Sequence, residues 1–572
     1  MQKKLIATTA VAGLAIMVAS PLAASGAAKK TTKKKATTKA VTTTAAPTTA
    51  APTTAAPAPA AAAGGKKGGT FVSLQLAAGD PDHIEPGLAH TIDGSQVAGQ
   101  LFDGLMEIDY ASAELKPSVA ESFSVSSDGK TVSFKIKKGV KFHNGEAVLP
   151  SNFKCGWERA ASRDLASEVG YHLDSIAGKS DIDDGKTKLL SGVVADDANL
   201  TLTVKLKSAY SSFVAETQHT VFSPLTKKDC SAGKDWEQGI MVGNGPFKMN
   251  EPWKHDQFIK LVRNDDYFGG HLGRSAFLDS VEFRINKDTV PAYNLFESGT
   301  GDNAVIPAGK FKEAAAKYGE KGNTAPQLVI QYYGINWNDK DAGGFANAKL
   351  RQAISLAIDR NQINQLVFNG TRTPATGITP PGVPGYKAGL WKIKPEAQVD
   401  EAKKLLAEWG KPLPKITLRV NSVSANLLVA NIVKDNLSKV GIDVDLDPRP
   451  STGYFSDLAN KNDHQLYRSG WVYDYVGYDN GMYPLFSTET IGADNSAKFS
   501  NAQFDSLVST ARSTSDLKKQ ADLYQQAEKI ALEQAVAIPL IWGRWSHVVS
   551  SKVDRYPQSA TGFVDFADVT LK

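Results

Sequence analysis

Asp474 stands inside a run of large rings, Gly470-Trp471-Val472-Tyr473-Asp474-Tyr475. A carboxylate kept away from water makes charge-assisted hydrogen bonds to a cation, and flanking aromatics are the side chains that ligand pockets favour. The same residues also suit a turn capped by the aspartate, with Trp471 in the core. The nine histidines, from His83 to His547, are scattered without ligand spacing, so no metal set can be drawn from them. His90 lies in a loop near the start of the body, where it either lines a cleft or stands in solvent. There is no Gly-x-Ser-x-Gly, no His-Glu-x-x-His and no local pairing of a nucleophile with a base. Gly243-Asn244-Gly245 runs into Pro246 rather than the Lys-Ser or Lys-Thr of a phosphate loop, and reads as a tight turn between strands. These side chains point to binding without catalysis, and no cofactor is expected.

The elements that must position them follow from the pattern. Gly68–Leu76 alternates as a strand, Gly79-Asp80-Pro81 ends it, and a helix is expected from about Gly94 to Phe102. Ser126-Ser127-Asp128-Gly129-Lys130 is a turn cluster ahead of Thr131–Ile136, which alternates polar with apolar; Asn144-Gly145 supplies a further turn. Leu278–Asn286 and Tyr332–Asn336 read as strands and Thr289–Ser298 as a helix. Ala348–Gly370 reads as a helix pair, its apolar residues recurring at three and four, and Val399–Gly410 as another helix. Ile416–Asn421, a helix from about Asn426 to Val440, and Gly441–Leu446 form a β-α-β unit, which requires a parallel strand pair. Ile538–Trp542 is a returning strand.

At 572 residues the chain is too long for one core. Met1–Ala28 has a basic start, an apolar run from Leu5 to Ala19 and small residues before Ala28, the pattern of a secretory signal peptide. That run is shorter than the ~20 residues of a spanning helix, and no cysteine stands near the cleavage region to carry a lipid. Residues 29–68 are almost entirely Lys, Thr, Ala, Pro and Gly, a tether that cannot bury enough apolar surface to fold. The first 68 residues hold ten lysines and no acid, so the formal charge of +5 becomes 55 minus 60, or −5, for the body. The basic balance belongs to the leader, and nothing in the body argues for nucleic acid. Cys155 and Cys230 are the only cysteines. In an exported protein a disulfide is their most economical use; the alternatives are two free buried thiols, or a metal site, whose His or carboxylate partners no local spacing supplies.

The stretch Leu101–Arg159 orders "LFDGL", Pro-x-x-Ala-Glu-Ser, Asp-Gly-Lys-Thr and Lys-Gly-Val-Lys-Phe-His-x-Gly in a way that resembles the family 5 extracellular solute-binding proteins, receptors of ABC importers. Val242–Phe247, Ile259–Phe268, Ala348–Gly370, Thr379–Gly382 and Val399–Gly410 are similar to further phrases of that family. The resemblance implies an α/β fold of the two-lobed periplasmic-binding type, with an extra small domain and the ligand between the lobes. It places the first lobe at 69–107, 220–330 and 546–572, the small domain at 108–219 and the second lobe at 331–545. Gly470-Trp471-x-x-Asp474-Tyr475 matches the phrase in which peptide receptors hold the ligand's terminal ammonium. By that match Asp474 is the amine anchor, the adjoining backbone at Gly470 pairs with the ligand's main chain, and Trp471, Tyr473 and Tyr475 furnish an aromatic wall.

Family members often continue with Asp-Pro and an Asn, whereas Val476-Gly477-Tyr478-Asp479-Asn480 lacks the proline. Receptors restricted to dipeptides are expected to fix the ligand carboxylate with an arginine after the Ile416 strand. Asn421–Asn426 offers none, and Arg419 and Arg468 read as surface residues. Longer peptides, or a ligand with no carboxylate to clamp, are therefore expected over dipeptides. A monomer is expected, with a membrane permease as partner and a peptide or other small solute as ligand. Nickel-chelate or haem capture is the alternative within the family; an exported hydrolase or a wall-associated structural protein is the alternative outside it.

Overall fold

The computed structural model describes residues 65–77, 79–109, 114–319, 322–337, 345, 347–451 and 453–572. The expected signal peptide, and all of the tether before residue 65, lie outside them.

One eleven-stranded sheet runs through the molecule. Thr70–Leu74 lies between Ser280–Arg284 and Asn303–Val305, parallel to both, and Phe258–Arg263 and Phe247–Met249 complete that end. At the other end Leu466–Val472, Ile416–Asn421 and Val444–Arg449 are neighbours, and the last two are parallel, as the β-α-β pattern requires. The two ends are joined by the long antiparallel strands Gly322–Ile335 and Ala537–Val549. Their register shifts between Pro326 and Ile330 and again between Gln331 and Tyr332. Such irregularities bend and twist a strand pair, here where the chain passes from one lobe to the other. The strand read from the sequence at Tyr332 thus begins ten residues earlier, and the Ile538 strand runs on to Val549.

A separate antiparallel sheet, in the order Ala120–Val125, Thr131–Ile136, Thr201–Lys205, Val193–Asp196, is built where the turn cluster predicts a hairpin. Its inward residues Val132, Phe134 and Ile136 pack on Phe153 and Trp157 of the helix Pro150–Ala161. Burying each of these large apolar side chains is worth roughly 1.5–3 kcal/mol. The Trp157 indole donates to the Phe222 carbonyl at 2.8 Å, so its one polar atom is satisfied. Cys155 on that helix is disulfide-bonded to Cys230, Cα to Cα 5.8 Å, which ties the body to the first-lobe core that Cys230 packs against.

Two further apolar clusters belong to the lobes. One gathers Phe71, Leu101, Phe247, Phe283 and Phe566; the other is centred on Ile330, Tyr333, Leu418, Trp471 and Ile541. The helix pair is found as Ala348–Ala357 and Arg360–Phe368, capped by Asn347 and Asp359 and closed by Asn369 in the left-handed region. The other expected helices are Ile92–Leu101, Thr289–Glu297, Val399–Trp409 and Ser424–Ser438, each within two residues of its expected ends; the helices Ala502–Arg512 and Leu517–Glu533 lie outside those expectations.

Candidate ligand-binding site

The strand Leu466–Val472 delivers Asp474 just beyond its end. Asn480, six residues on and fully buried, shapes the turn there. Its Oδ1 accepts from the Trp471 indole at 3.0 Å and from the Asp474 amide at 2.9 Å, while its Nδ2 donates to Asp474 Oδ2 at 2.9 Å. Burial pushes the Asp474 carboxyl up, with the neighbouring charge of His172 working against the rise. Among the described residues no lysine or arginine pairs with it. An ionised carboxylate so placed has no ion pair of its own, which is costly unless a cation is brought to it.

Asp474 faces a cavity of about 1060 Å³, its open mouth included. The opposite walls come from Gln100 and Asp103, at and just past the end of the helix Ile92–Leu101, from Asp565, and from the segment Gln218–Ser223, which follows the four-stranded sheet. The cavity therefore lies between parts that the long strands join.

The rest of the aromatic phrase stands behind Asp474. Trp471 is 1 % exposed and part of the core, Tyr473 is fully buried, and Tyr475 is 4 % exposed, its hydroxyl donating to Asp479 Oδ2 at 2.7 Å. None of the three lines the cavity, so the expected aromatic wall is replaced by a buried support. Gly470 is paired in the sheet with Gln331; a Cβ there would stand 3.2 Å from the Ile330 carbonyl oxygen. His90 neither lines this cavity nor stands free in solvent. Its Nδ1 lies against Asp82 and 2.9 Å from Glu168. Burial opposes its charge, but the two carboxylates hold the imidazolium up to about 10, and in return Asp82, despite its own burial, is held at about 2. It is a fixed cation of the loop. Among the described residues no group of three or more His, Cys, Asp or Glu could hold a metal ion.

The model of the bacterial extracellular solute-binding proteins, family 5, matches residues 114–493. The chain belongs to that family. This family 5 protein is 28% identical over 519 residues to the oligopeptide-binding protein OppA of Bacillus subtilis, covering 88% of this chain and 93% of that one. It is 26% identical to the dipeptide-binding protein DppE of the same organism, covering 85% and 89%. Its fold is that of the murein tripeptide binding protein MppA of Escherichia coli, with a TM-score of 0.77 at 23% identity over 88% of this chain and 98% of that one.

Two arginines of this family 5 protein differ from the sequence expectation. Arg419 is 6 % exposed and bonded to Asp447 at 2.9 Å and Asp463 at 2.7 Å; Arg468 is 3 % exposed, under the Phe455 ring. Both sit on strands in the sheet interior, and the carboxylates that make burial of Arg419 tolerable come from neighbouring segments. Asp494 was not singled out in the sequence. It is 2 % exposed, and its carboxyl is raised well above the ordinary range by burial and then by the charge of Asp474. Its setting, Ile491-Gly492-Ala493-Asp494-Asn495, carries no local mark of that burial.

Proposed function

We propose that this protein captures peptides in the cavity between its lobes and delivers them to a membrane permease of an ABC importer. The observation that carries the reading is Asp474, a half-buried carboxylate on the cavity wall whose one side-chain hydrogen-bond partner among the described residues is the neutral amide of Asn480. A peptide's terminal ammonium supplies the missing charge. The named binding of its relatives, oligopeptides and dipeptides, agrees in kind. Longer peptides are favoured over dipeptides, because Arg419 is spent on Asp447 and Asp463 and the segment Asn421–Asn426 offers no arginine to clamp a carboxylate. The protein acts as an exported monomer without catalytic turnover, with residues 108–219 as a distinct small domain and residues 29–68 as its tether.

Native mass spectrometry of the protein taken from its own producer, followed by denaturation, tests this. A ladder of released peptides is expected and gives their length; a single non-peptide mass or a metal complex would overturn the peptide assignment.

A further inference from the structure

The cavity has a second acidic end. Asp103, two residues past the helix Ile92–Leu101, and Asp565, near the C-terminus, line the same space as Asp474. Asp103 is 9 % exposed and accepts from the Tyr267 hydroxyl at 2.6 Å; Asp565 accepts from the Ala567 amide at 3.0 Å. These are neutral donors, and among the described residues neither carboxylate is ion-paired to a lysine or arginine. The nearby cations, among them Arg274 on the same cavity wall, are each engaged by another acceptor. Arg274 and Arg555 both engage Asp568, and Lys137 Nζ donates to the Gly270 carbonyl at 3.2 Å. Burial pushes the Asp103 carboxyl up to about 7, with the charge of Asp565 adding to the rise and that of Lys137 opposing it, and pushes Asp565 up to about 6 against the charges of Arg274 and Arg555.

A second, independent feature of the wall marks it as built to receive polar groups. Ser223, 3 % exposed, lines the cavity with a hydroxyl that has no hydrogen-bond partner, and Gln218 Nε2 and Thr220 Oγ1 beside it are also unpartnered. Buried polar atoms are normally satisfied, so partners are to be brought by whatever fills the space. Carboxylates that face that space without an ion pair of their own decide what sign those partners carry.

We propose that the Asp103 and Asp565 end of the cavity is a subsite for a second cationic group, so that the favoured ligands are peptides carrying a lysine or arginine side chain in addition to their free amino terminus. This rests on the peptide reading above and adds the ligand's charge to it. One cation goes to Asp474 on the second lobe and the other to Asp103 and Asp565 on the first. A dicationic peptide would then bridge both lobes, and contacts made to both sides at once are what favour a closed form.

The test is isothermal titration of the full protein, stripped of bound ligand, with tetraalanine and with two series of tetrapeptides. One series places a single lysine at each position in turn, the other a norleucine, which has the same length without the charge. At one position or more, lysine is expected to bind roughly tenfold or more tightly than norleucine, the order for a hydrogen bond to a charged group. In Asp103→Asn combined with Asp565→Asn, which keeps an acceptor for the Ala567 amide, that ratio collapses toward one. Equal binding of lysine and norleucine peptides at every position overturns the subsite while leaving peptide capture standing, and a ratio that survives in the double variant does the same. Binding of no peptide in the set overturns the peptide reading and the subsite with it. The wild-type series stands on its own should the double variant fail to fold.

Discussion

The Tyr210 hydroxyl, on the loop that follows the four-stranded sheet, donates to Asp479 Oδ2 of the second lobe at 2.9 Å. Asp479 is 1 % exposed and also accepts from Tyr475 at 2.7 Å and from Ser212 at 3.1 Å. Arg512 lies between the rings of Tyr210 and Tyr483, 4.3 and 3.7 Å from their centroids. The four-stranded body thus grips the second lobe at residues adjoining Asp474 and Asn480. Tyr210→Phe removes the hydroxyl that bonds Asp479 and lies 2.9 Å from the Tyr475 hydroxyl, contacts that exist only with the two parts together. It is expected to weaken every peptide by the same factor, about 0.5–1.5 kcal/mol, whatever its sequence. A loss confined to some sequences in titration calorimetry would make Tyr210 a ligand contact instead.

Asn480→Ala strands two donors, the Trp471 indole and the Asp474 amide, in a site closed to water. A loss of about 1–3 kcal/mol of stability is expected, read as a lower Tm, together with weaker ligand binding. An unchanged Tm would show that Asn480 does not hold the turn.

His90 has a folded pKa of about 10 against an ordinary value of 6.5. A raised pKa stabilises the fold fully below the unfolded value, and that contribution is lost as pH rises through the folded one. His90→Gln leaves Asp82 and Glu168 without their shared cation and is expected to cost about 3 kcal/mol below pH 6.5. The Tm gap to the wild type should then shrink as pH climbs to about 10. A gap independent of pH would contradict the charge assignment.

The Cys155–Cys230 bond spans a sequence separation of 75 residues and joins the helix Pro150–Ala161 to the first-lobe side. Loop-closure entropy gives such a bond ~4 kcal/mol. Cys155→Ser with Cys230→Ser is expected to lower Tm markedly while peptide affinity at low temperature is retained, because neither cysteine lines the cavity. Equal Tm values would show that the bond adds nothing to the fold.

Much of this was legible in the chain. The period-two and period-3.6 runs place the first strand, the β-α-β unit, the returning strand and the helix pair, but not Leu466–Val472, the helix Pro150–Ala161 or the outer strands of the four-stranded sheet; the phrase at Gly470 marks the turn that carries Asp474. What the chain did not disclose is pairing at long range. Tyr210 meets Asp479 across 269 residues, and no local pattern announces it. Arg419 and Arg468 read as surface residues because a charge on a strand is ordinarily solvated. The carboxylates that pair with Arg419 arrive from segments 28 and 44 residues away. For the same reason Trp471, Tyr473 and Tyr475 could be taken as a wall, since ring-rich sequence alone does not say which side of the turn is the core.

The central claim, capture of peptides by their amino terminus, is tested most directly by titrating one tetrapeptide, with a free and with an acetylated terminus, into the wild type and Asp474→Asn. The account predicts that the variant loses about 1.5–3 kcal/mol for the free peptide, changes little for the acetylated one, and keeps the wild-type Tm. Equal losses for both peptides, or none for either, would contradict it.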